Sequence, residues 1–247
     1  MSTETRSKDY RLKGNPVVVP TEVPVVGNLI NDDLGQEVLA KLNERFRGVS
    51  SIEYAGSRMP NAGEPLRYSN TPRALAIDQI LREIAPDMHV LSVPEVVQYW
   101  NAIPDRSSTY ADTNAVVIYP NEGPREALRK KVLKDLGLKS AKVPMLIERL
   151  GIKKAKNDEG FTFVRGDLTQ AIEAPFLKKD GRVAYDARKG IVQSPEGVYI
   201  WTSSDQSGLW WVFRYGSGGV YARDGIMVVA GEGGRVQVAQ APKARSA

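Results

Sequence analysis

A run of basic side chains between positions 125 and 156 is the strongest chemical signal in this sequence. The run contains eleven lysine and arginine residues against three acidic ones, a net charge of +8, while the whole chain of 247 residues carries +5. The rest of the chain is therefore net acidic, and the basicity is local. Such a concentration of positive charge is typical of a surface that binds a polyanion.

Eight of these cations are candidate contacts to nucleic acid or to another polyanion. The pattern predicts a basic helix over 125–136, a turn, a second short helix over 143–150 and a strand from Phe161, an order compatible with a winged helix-turn-helix. In the alternative interpretation the two helices only expose an ordinary solvated face. The candidate contacts are Arg125, Arg129, Lys130, Lys139, Lys142, Arg149, Lys153 and Lys154.

A second group of polar residues lies in turns at the ends of predicted strands. In an open α/β sheet, ligands bind beyond the carboxyl ends of the strands, where helix N-termini offer free N–H groups. There Arg58 would clamp a phosphate or carboxylate, within a candidate set of Asn28, Ser57, Arg58, Ser92, Asn121 and Glu122. Alternatively, these residue types simply make turns and cap helices. The sequence has no GxGxxG and no P-loop motif, so no cofactor is predicted.

The amino-acid composition excludes several classes of catalytic site. With no cysteine, the chain has no disulfide, thiolate nucleophile, cysteine-ligated zinc or iron–sulfur cluster. With one histidine, His89, it has no multi-histidine metal site, and a Ser-His-Asp triad would have to use that residue. Because His89 lies in a short apolar run, we expect a buried core histidine. No metal site is predicted, although oxygen ligands alone would suffice for Mg²⁺ or Ca²⁺.

Aromatic residues alternate along two predicted strands in the second half of the chain. In the second of these strands Trp211, Phe213 and Tyr215 share one face, and Trp210 and Arg214 share the other. One face must belong to the core, and the opposite face could stack a base or a sugar ring. Packing on both faces of the strand is the alternative.

The elements that position these residues change in character near residue 137. Before it, β-rich runs alternate with amphipathic helices, which predicts an α/β fold with a mainly parallel sheet and crossover helices in the first half. The helices start at Asp33, at Thr71-Pro72, at the Ser92–Glu95 capping box and at Gly123-Pro124. The predicted strands of this half cover 17–19 (or 23–26), 51–55, 88–91 and 115–119.

After Phe161 the sequence has the texture of strands and tight turns, including Asp224-Gly225, and predicts an antiparallel β meander. The resulting domain plan has a flexible arm over 1–15, an α/β domain over 16–137 and a basic helical connection over 138–157. A mainly antiparallel β portion over 158–240 and a flexible tail over 241–247 complete it. The predicted strands of this half cover 161–165, 182–185, 197–202, 209–215, 220–223, 226–230 and 235–239.

Two functions from different classes fit these patterns. We expect a cytoplasmic polyanion- or nucleic-acid-binding protein, because no apolar run is long enough to span a membrane and the first fourteen residues carry no apolar signal segment. The alternative is an enzyme or binding protein for a small phosphorylated or carboxylated ligand at the strand ends. A structural or assembly protein without either site is the third possibility. The sequence leaves open the ligand, any catalysed reaction and the oligomeric state.

Overall fold

The computed structural model describes residues 24–103, 109–216, 218–222 and 232–241. Within these ranges the four α-helices are Asp33–Arg45 (α1), Thr71–Ile84 (α2), Val93–Gln98 (α3) and Glu126–Asp135 (α4). The first seven strands are Val25–Asn28 (β1), Met88–Val90 (β2), Tyr110–Ile118 (β3), Met145–Glu148 (β4), Gly151–Lys154 (β5), Phe161–Val164 (β6) and Gln170–Glu173 (β7). The remaining seven are Gly181–Asp186 (β8), Gly190–Gln193 (β9), Val198–Thr202 (β10), Leu209–Tyr215 (β11), Gly219–Ala222 (β12), Gly234–Arg235 (β13) and Gln237–Gln240 (β14). In the described part of the chain, no helix is long and apolar enough to cross a membrane.

Polar caps fix the starts of the first three helices. Asp32 accepts a hydrogen bond from the Gly35 N–H at 3.0 Å before α1, and Asn70 accepts one from the Arg73 N–H at 2.8 Å before α2. Each cap therefore lies one residue before the predicted helix start. The capping box predicted at Ser92 is confirmed at the start of α3. These caps satisfy N–H groups that have no partner inside the helix.

The strands form three sheets. The largest has nine strands in the order β7-β4-β3-β11-β12-β10-β8-β9, with β13 pairing against the first residues of β3. A three-stranded sheet places β14 between β1 and β2, and β5 and β6 form a separate hairpin. Since β3 is hydrogen-bonded to β4, β11 and β13, it is the centre of the fold.

Two hydrophobic clusters cover the two faces of β3. Val116 and Ile118 belong to the first cluster, together with Trp211 and residues of α1, α2 and α4. Ala115 and Val117 belong to the second, together with residues of α3, β8, β10 and β12. All nine residues of β3 are buried as a result.

The predicted α/β fold with a mainly parallel sheet and crossover helices is wrong. Among the described strands only β10 with β12 and β3 with β13 pair in parallel, and the other strand pairs are antiparallel. The error has a physical cause in β3. An antiparallel strand usually shows polar residues at alternate positions, but a strand covered on both faces shows an apolar run typical of parallel sheets.

Three predicted elements differ from the structure in detail. The run 51–55 is a turn region in which Ile52 and Tyr54 are buried. The apolar alternation there comes from side chains that attach a loop to the core, and not from a strand. The run 88–91 does contain a strand, β2, but it pairs antiparallel with β14 in the small sheet. The short helix predicted over 143–150 is replaced by strand β4, whose residues alternate between the two clusters. A short apolar run cannot be assigned to helix or strand by its periodicity alone.

The second half is richer in strands, as predicted, but it is not a simple meander. The strand predicted over 209–215 is confirmed as β11. However, β11 crosses to pair with β3, and β10 runs parallel to β12, which interrupts the meander. The Asp224-Gly225 turn, the strand over 226–230, the arm over 1–15 and the tail beyond Ala241 lie outside the described residues. The domain boundaries stay a prediction, and β3 and β11, from either side of them, share one sheet.

Replacing Ser92 by alanine should lower the free energy of unfolding by about 1 kcal/mol, the usual value for an N-cap. The Ser92 hydroxyl donates to Oε2 of Glu95 at 2.8 Å, and the Ser92 N–H donates to the same oxygen at 2.9 Å. The hydroxyl also accepts the cap bond from the Glu95 N–H at 3.4 Å. The variant keeps the Ser92 N–H bond and loses both hydroxyl bonds. Thermal unfolding measures the change, and an unaltered melting temperature together with lost ligand binding would assign Ser92 to a binding site instead.

Candidate functional site

A cleft beside α4 collects several of the predicted basic residues. Its volume is about 360 Å³, and residues of α4 form one wall. We call it the α4 basic cleft; it is lined by Pro120, Glu122, Arg129, Lys130, Leu133, Lys134, Leu138, Lys139 and Ser140. The size is within the range of small-ligand pockets, about 300–1,000 Å³. The lining residues include four cations and one carboxylate, so the lining carries a net positive charge.

The lysines of the cleft differ in their pairing. Lys130 lies 3.3 Å from the carboxylate of Glu122 and 3.7 Å from that of Glu126. Lys134 and Lys139 are exposed, and neither forms an ion pair with another residue in the described ranges. Their charges are consequently available to an anion in solution. Lys134 was part of the basic run in the sequence but not among the eight candidates.

Arg129 is part of the protein interior. Its side chain is buried, and its guanidinium donates to the carbonyl oxygens of Tyr119 at 3.2 Å and Pro120 at 2.8 Å. A third bond, at 2.9 Å, goes to the Glu126 carboxylate. Arg129 therefore attaches α4 to the end of β3 and shapes the cleft wall, and its charge is paired with that of Glu126.

Arg125 also has a structural position. It precedes α4 in a left-handed conformation, with φ of 57°, and its guanidinium carbon lies 4.6 Å from the Trp211 ring centroid and 5.6 Å from that of Trp210. These distances are typical of cation–π contacts. The residue is half-buried, so its charge serves the packing of α4 against β11.

The remaining four candidates follow α4 in the chain. Lys142 is exposed and follows the lining residue Ser140 by two positions, and Arg149 is half-buried after β4 with φ of 54°. Lys153 and Lys154 are exposed on β5, and the ammonium group of Lys154 donates to the Arg47 carbonyl. Since residues 145–148 form a strand, a helix-turn-helix is not present here, and any phosphate contacts would have to come from α4 and its loops.

The second candidate group is not brought together. Ser92 lies beside the middle of β3, where the Asn114 N–H donates to the Leu91 carbonyl, whereas Asn121 and Glu122 follow the far end of that strand. Seven residues of extended chain separate the two places, or about 20 Å. Ser92 is fully buried and acts as a helix cap, and Glu122 pairs with Lys130.

Asn28 and Arg58 have local hydrogen-bond partners as well. Asn28, the last residue of β1, accepts from the Gln237 side chain at 3.4 Å. Ser57 and Arg58 belong to a single 3-10 turn, and the Arg58 guanidinium donates to the Ser50 carbonyl at 2.7 Å. Parallel strand ends would have gathered these turns, and the antiparallel sheet does not.

The aromatic strands pack on both faces. Arg214 is fully buried and donates to Gln237, Thr109 and the Gly216 carbonyl, so it is not part of a stacking surface. Trp210 is half-buried, and its indole N–H donates to the Ser207 carbonyl at 2.7 Å. Both residues are held by contacts inside the fold.

A row of aromatic rings crosses strands β11, β12 and β10. Phe213 and Tyr221 stack with ring centroids 5.4 Å apart and planes 13° apart, and Tyr221 and Trp201 follow at 5.8 Å and 25°. Because neighbouring rings face one another, their stacking surfaces are used within the row. This arrangement of cross-strand pairs stabilises the sheet.

His89 has a partner that the sequence did not reveal. Its Nε2 lies 2.6 Å from Oε1 of Glu95, and its side chain is 18% exposed. Glu95 itself is buried, and its carboxylate accepts a hydrogen bond from the Ser92 hydroxyl. The expected buried histidine is thus near the surface and belongs to an ion-pairing group under α3.

Two buried carboxyl groups were missed by sequence reasoning. Burial raises the pKa of Asp112 on β3 to about 7, and burial together with the nearby charge of Glu95 raises the pKa of Glu148 on β4 to about 7. A signal for Glu148 was present, since it is the acidic residue that interrupts the otherwise apolar run 143–148. Carboxyl groups with such pKa values titrate near neutral pH and often have functional roles.

Among the residues that the structure describes, no group of three or more histidine, aspartate or glutamate side chains could hold a metal ion. Comparison of the chain with protein-family models, with curated proteins and with solved structures finds no match in any of the three. The function must therefore be inferred from the site alone.

Proposed function

We propose that this protein binds a polyanion, most simply nucleic acid, at the α4 basic cleft. The observation that supports this proposal is the pair of exposed lysines Lys134 and Lys139, which line the cleft without a carboxylate partner in the described part of the chain. Lys130 lines the same cleft, and the exposed Lys142 follows the lining residue Ser140 by two positions in the chain. Ammonium groups of this kind contact phosphates as point charges and carry no base specificity.

The Glu122 carboxylate at the rim modulates the positive potential of the cleft. It holds Lys130 at 3.3 Å, and both side chains are largely exposed. An exposed ion pair of this kind is worth at most about 1 kcal/mol. An incoming phosphate can therefore take over Lys130 at small cost, and the bound complex would have four lysines at the phosphate backbone.

The small-ligand alternative has weaker support. It needs Arg58, Ser92 and Asn121 to converge, and the fold separates them. A phosphate group carried by a small molecule would instead use the same α4 basic cleft, and competition between inorganic phosphate and an oligonucleotide separates the two cases. If inorganic phosphate displaces the oligonucleotide only at the concentrations at which sodium chloride also displaces it, the cleft binds a polyanion and not a small phosphorylated ligand.

Binding should weaken steeply with salt, because each neutralised phosphate releases a condensed cation. Four lysine contacts predict a slope of about −3.6 in a plot of log affinity against log salt, or roughly a hundredfold loss between about 50 and 200 mM salt. Changing Lys134, Lys139 and Lys142 together to glutamine should flatten the slope by about 2.7 units. Fluorescence anisotropy with single- and double-stranded DNA and RNA measures both quantities.

A matched control variant is available on the opposite side of the large sheet. Lys178, Lys179 and Lys189 are exposed, and changing them to glutamine removes the same charge from the side of the second hydrophobic cluster. This variant, and Arg58→Gln, should keep the steep slope. The proposal is wrong if no nucleic acid binds micromolar protein at low salt, or if both triple variants flatten the slope equally.

A further inference from the structure

The carboxyl group of Glu148 lies beneath the start of α3. Its side chain is fully buried, and Oε1 accepts a hydrogen bond from the N–H of Val93, the first residue of the helix, at 3.2 Å. Its Oε2 is buried and has no hydrogen-bond partner in the structure. A buried carboxylate without a full set of donors is costly, and a protonated carboxyl group is much less so.

A second carboxyl group holds the same end of α3. Glu95 accepts from the Ser92 N–H and hydroxyl through Oε2, and its Oε1 lies 2.6 Å from Nε2 of His89 on β2. The start of α3 is thus attached to β4 through Glu148 and to β2 through Glu95. With six residues, α3 is too short to be stable without such attachments.

The charges around Glu148 come from four elements. Glu95 on α3 and Asp78 on α2 are negative, and Asp78 is paired with Arg82 at 3.2 Å. Arg149, the next residue after β4, is positive, and His89 on β2 reaches the group through Glu95. Tyr99 and Tyr185, from α3 and β8, lie near Glu95 as neutral hydroxyl groups. The carboxylates of Glu95 and Asp78 therefore oppose the ionisation of Glu148, and the Arg149 cation and the Val93 N–H favour it.

The same groups set the directions of the titrations. Burial raises the pKa of Glu148 to about 7, and the charges of Glu95 and Asp78 act in the same direction. Burial also raises the pKa of Glu95, but the hydrogen bonds with His89 and Ser92 lower it by more, so that the pKa of Glu95 lies below its ordinary value. Near neutral pH, Glu95 is thus the charged partner and Glu148 is the group that changes.

We propose that Glu148 and the His89–Glu95 pair form a pH-sensitive clasp that holds α3 at mildly acidic pH and releases it as the pH rises. Ionised Glu148 would face the Glu95 carboxylate across the start of the helix, and the repulsion between the two carboxylates would weaken the attachment of α3. Opening of α3 lets water reach both carboxylates and relieves their repulsion.

The sign follows from the two protonation states. In closed α3 the Glu148 pKa is raised to about 7, and in the opened state it returns towards its ordinary value of 4.5. The protonated Glu148 therefore stabilises the closed helix fully when the pH is below the ordinary pKa of 4.5. This stabilisation is lost as the pH rises towards the raised pKa of about 7, and it stays low at higher pH. Between about pH 6 and pH 8 the opening equilibrium should rise about tenfold.

Hydrogen exchange of the Val96 and Tyr99 amides, which donate to Ser92 and Glu95 carbonyls, reports this opening. After correction for intrinsic exchange rates, protection in α3 should fall about tenfold from pH 6 to pH 8 relative to α1 amides, which are distant from the buried carboxyl groups whose pKa values are raised. Wild-type protein alone tests this expectation. Unchanged relative protection across that range would overturn the proposal.

Three variants locate the responsible group. Glu148→Gln keeps an oxygen for the Val93 N–H but cannot ionise, so most of the pH dependence in α3 should disappear. Asp112→Asn removes another buried carboxyl group of similar pKa, next to α2, and should leave the α3 dependence in place. If Glu148→Gln retains the full dependence, or if His89→Gln alone abolishes it, Glu148 is not the switch.

Discussion

Replacing Trp211 by alanine should lower the free energy of unfolding by about 4 kcal/mol, as for a large aromatic residue removed from a tight core. Trp211 is fully buried at the centre of β11, and its ring meets Phe163 edge-on with centroids 6.0 Å apart. The Arg125 guanidinium covers it at 4.6 Å. Truncation would leave a cavity between the large sheet, the β5–β6 hairpin and the start of α4.

Trp210 provides the matched control for this prediction. It neighbours Trp211 in the same strand but faces the second cluster, is half-buried and keeps its indole N–H on the Ser207 carbonyl. Trp210→Ala should cost about half as much, since it removes less apolar area from the interior. Urea unfolding of both variants gives the two losses, and equal losses would contradict the assignment of Trp211 to the core.

Replacing Arg73 by alanine should cost about 3–5 kcal/mol, because it leaves one buried and two partly buried carbonyl groups without their donor. The guanidinium of Arg73 donates to the carbonyls of Ile52 at 2.7 Å and Glu53 at 2.9 Å, and also to that of Tyr68. It lies 4.3 Å from the centroid of the Tyr54 ring. One side chain of α2 thus fixes both irregular segments that lead into the helix.

Lysine at position 73 should recover only part of this loss, since one ammonium group cannot reproduce the planar fork of the guanidinium. Arg165→Ala, at an exposed position, should change the free energy of unfolding by no more than about 0.5 kcal/mol. Urea unfolding compares the three variants, provided that the dependence of the free energy of unfolding on urea concentration is the same in each. A loss below about 1 kcal/mol for Arg73→Ala would show that water satisfies the carbonyls instead.

Local signals in the sequence predicted the local structure well. The Ser92 capping box and the strand over 209–215 are present as predicted, and α1 and α2 begin close to their predicted starts. These features depend on neighbouring residues in the chain. A cap accepts its hydrogen bond from an N–H three residues away, so its chemistry is visible in a short window.

Strand pairing could not be predicted in the same way. The partner of β3 at its centre is β11, and the direction of β11 depends on where the intervening chain turns back. Because both faces of β3 are buried, its residue pattern does not indicate whether its neighbour β11 runs parallel or antiparallel to it. The same limit applies to β4, whose buried residues suit a helix or a strand.

The sequence predicted that the candidate site is basic, but it did not predict how the basic side chains are arranged. Composition alone identified the basic run, and part of it does line a cleft. Whether a cation is paired, buried or available depends on residues far away in the chain. Arg125 and Lys134 illustrate this limit, because one lies against two tryptophan rings and the other extends into solvent.

The placement of β14 between β1 and β2 has a consequence for how the chain is made. A ribosome adds about 5–20 residues per second and delivers β1 and β2 long before β14. Neither early strand can complete its sheet until residues 237–240 have emerged, because β14 is the partner of both. During that interval their backbone edges are open to wrong partners, the situation in which nascent chains aggregate or recruit chaperones. The order of synthesis therefore makes the small sheet one of the last parts of this protein to form.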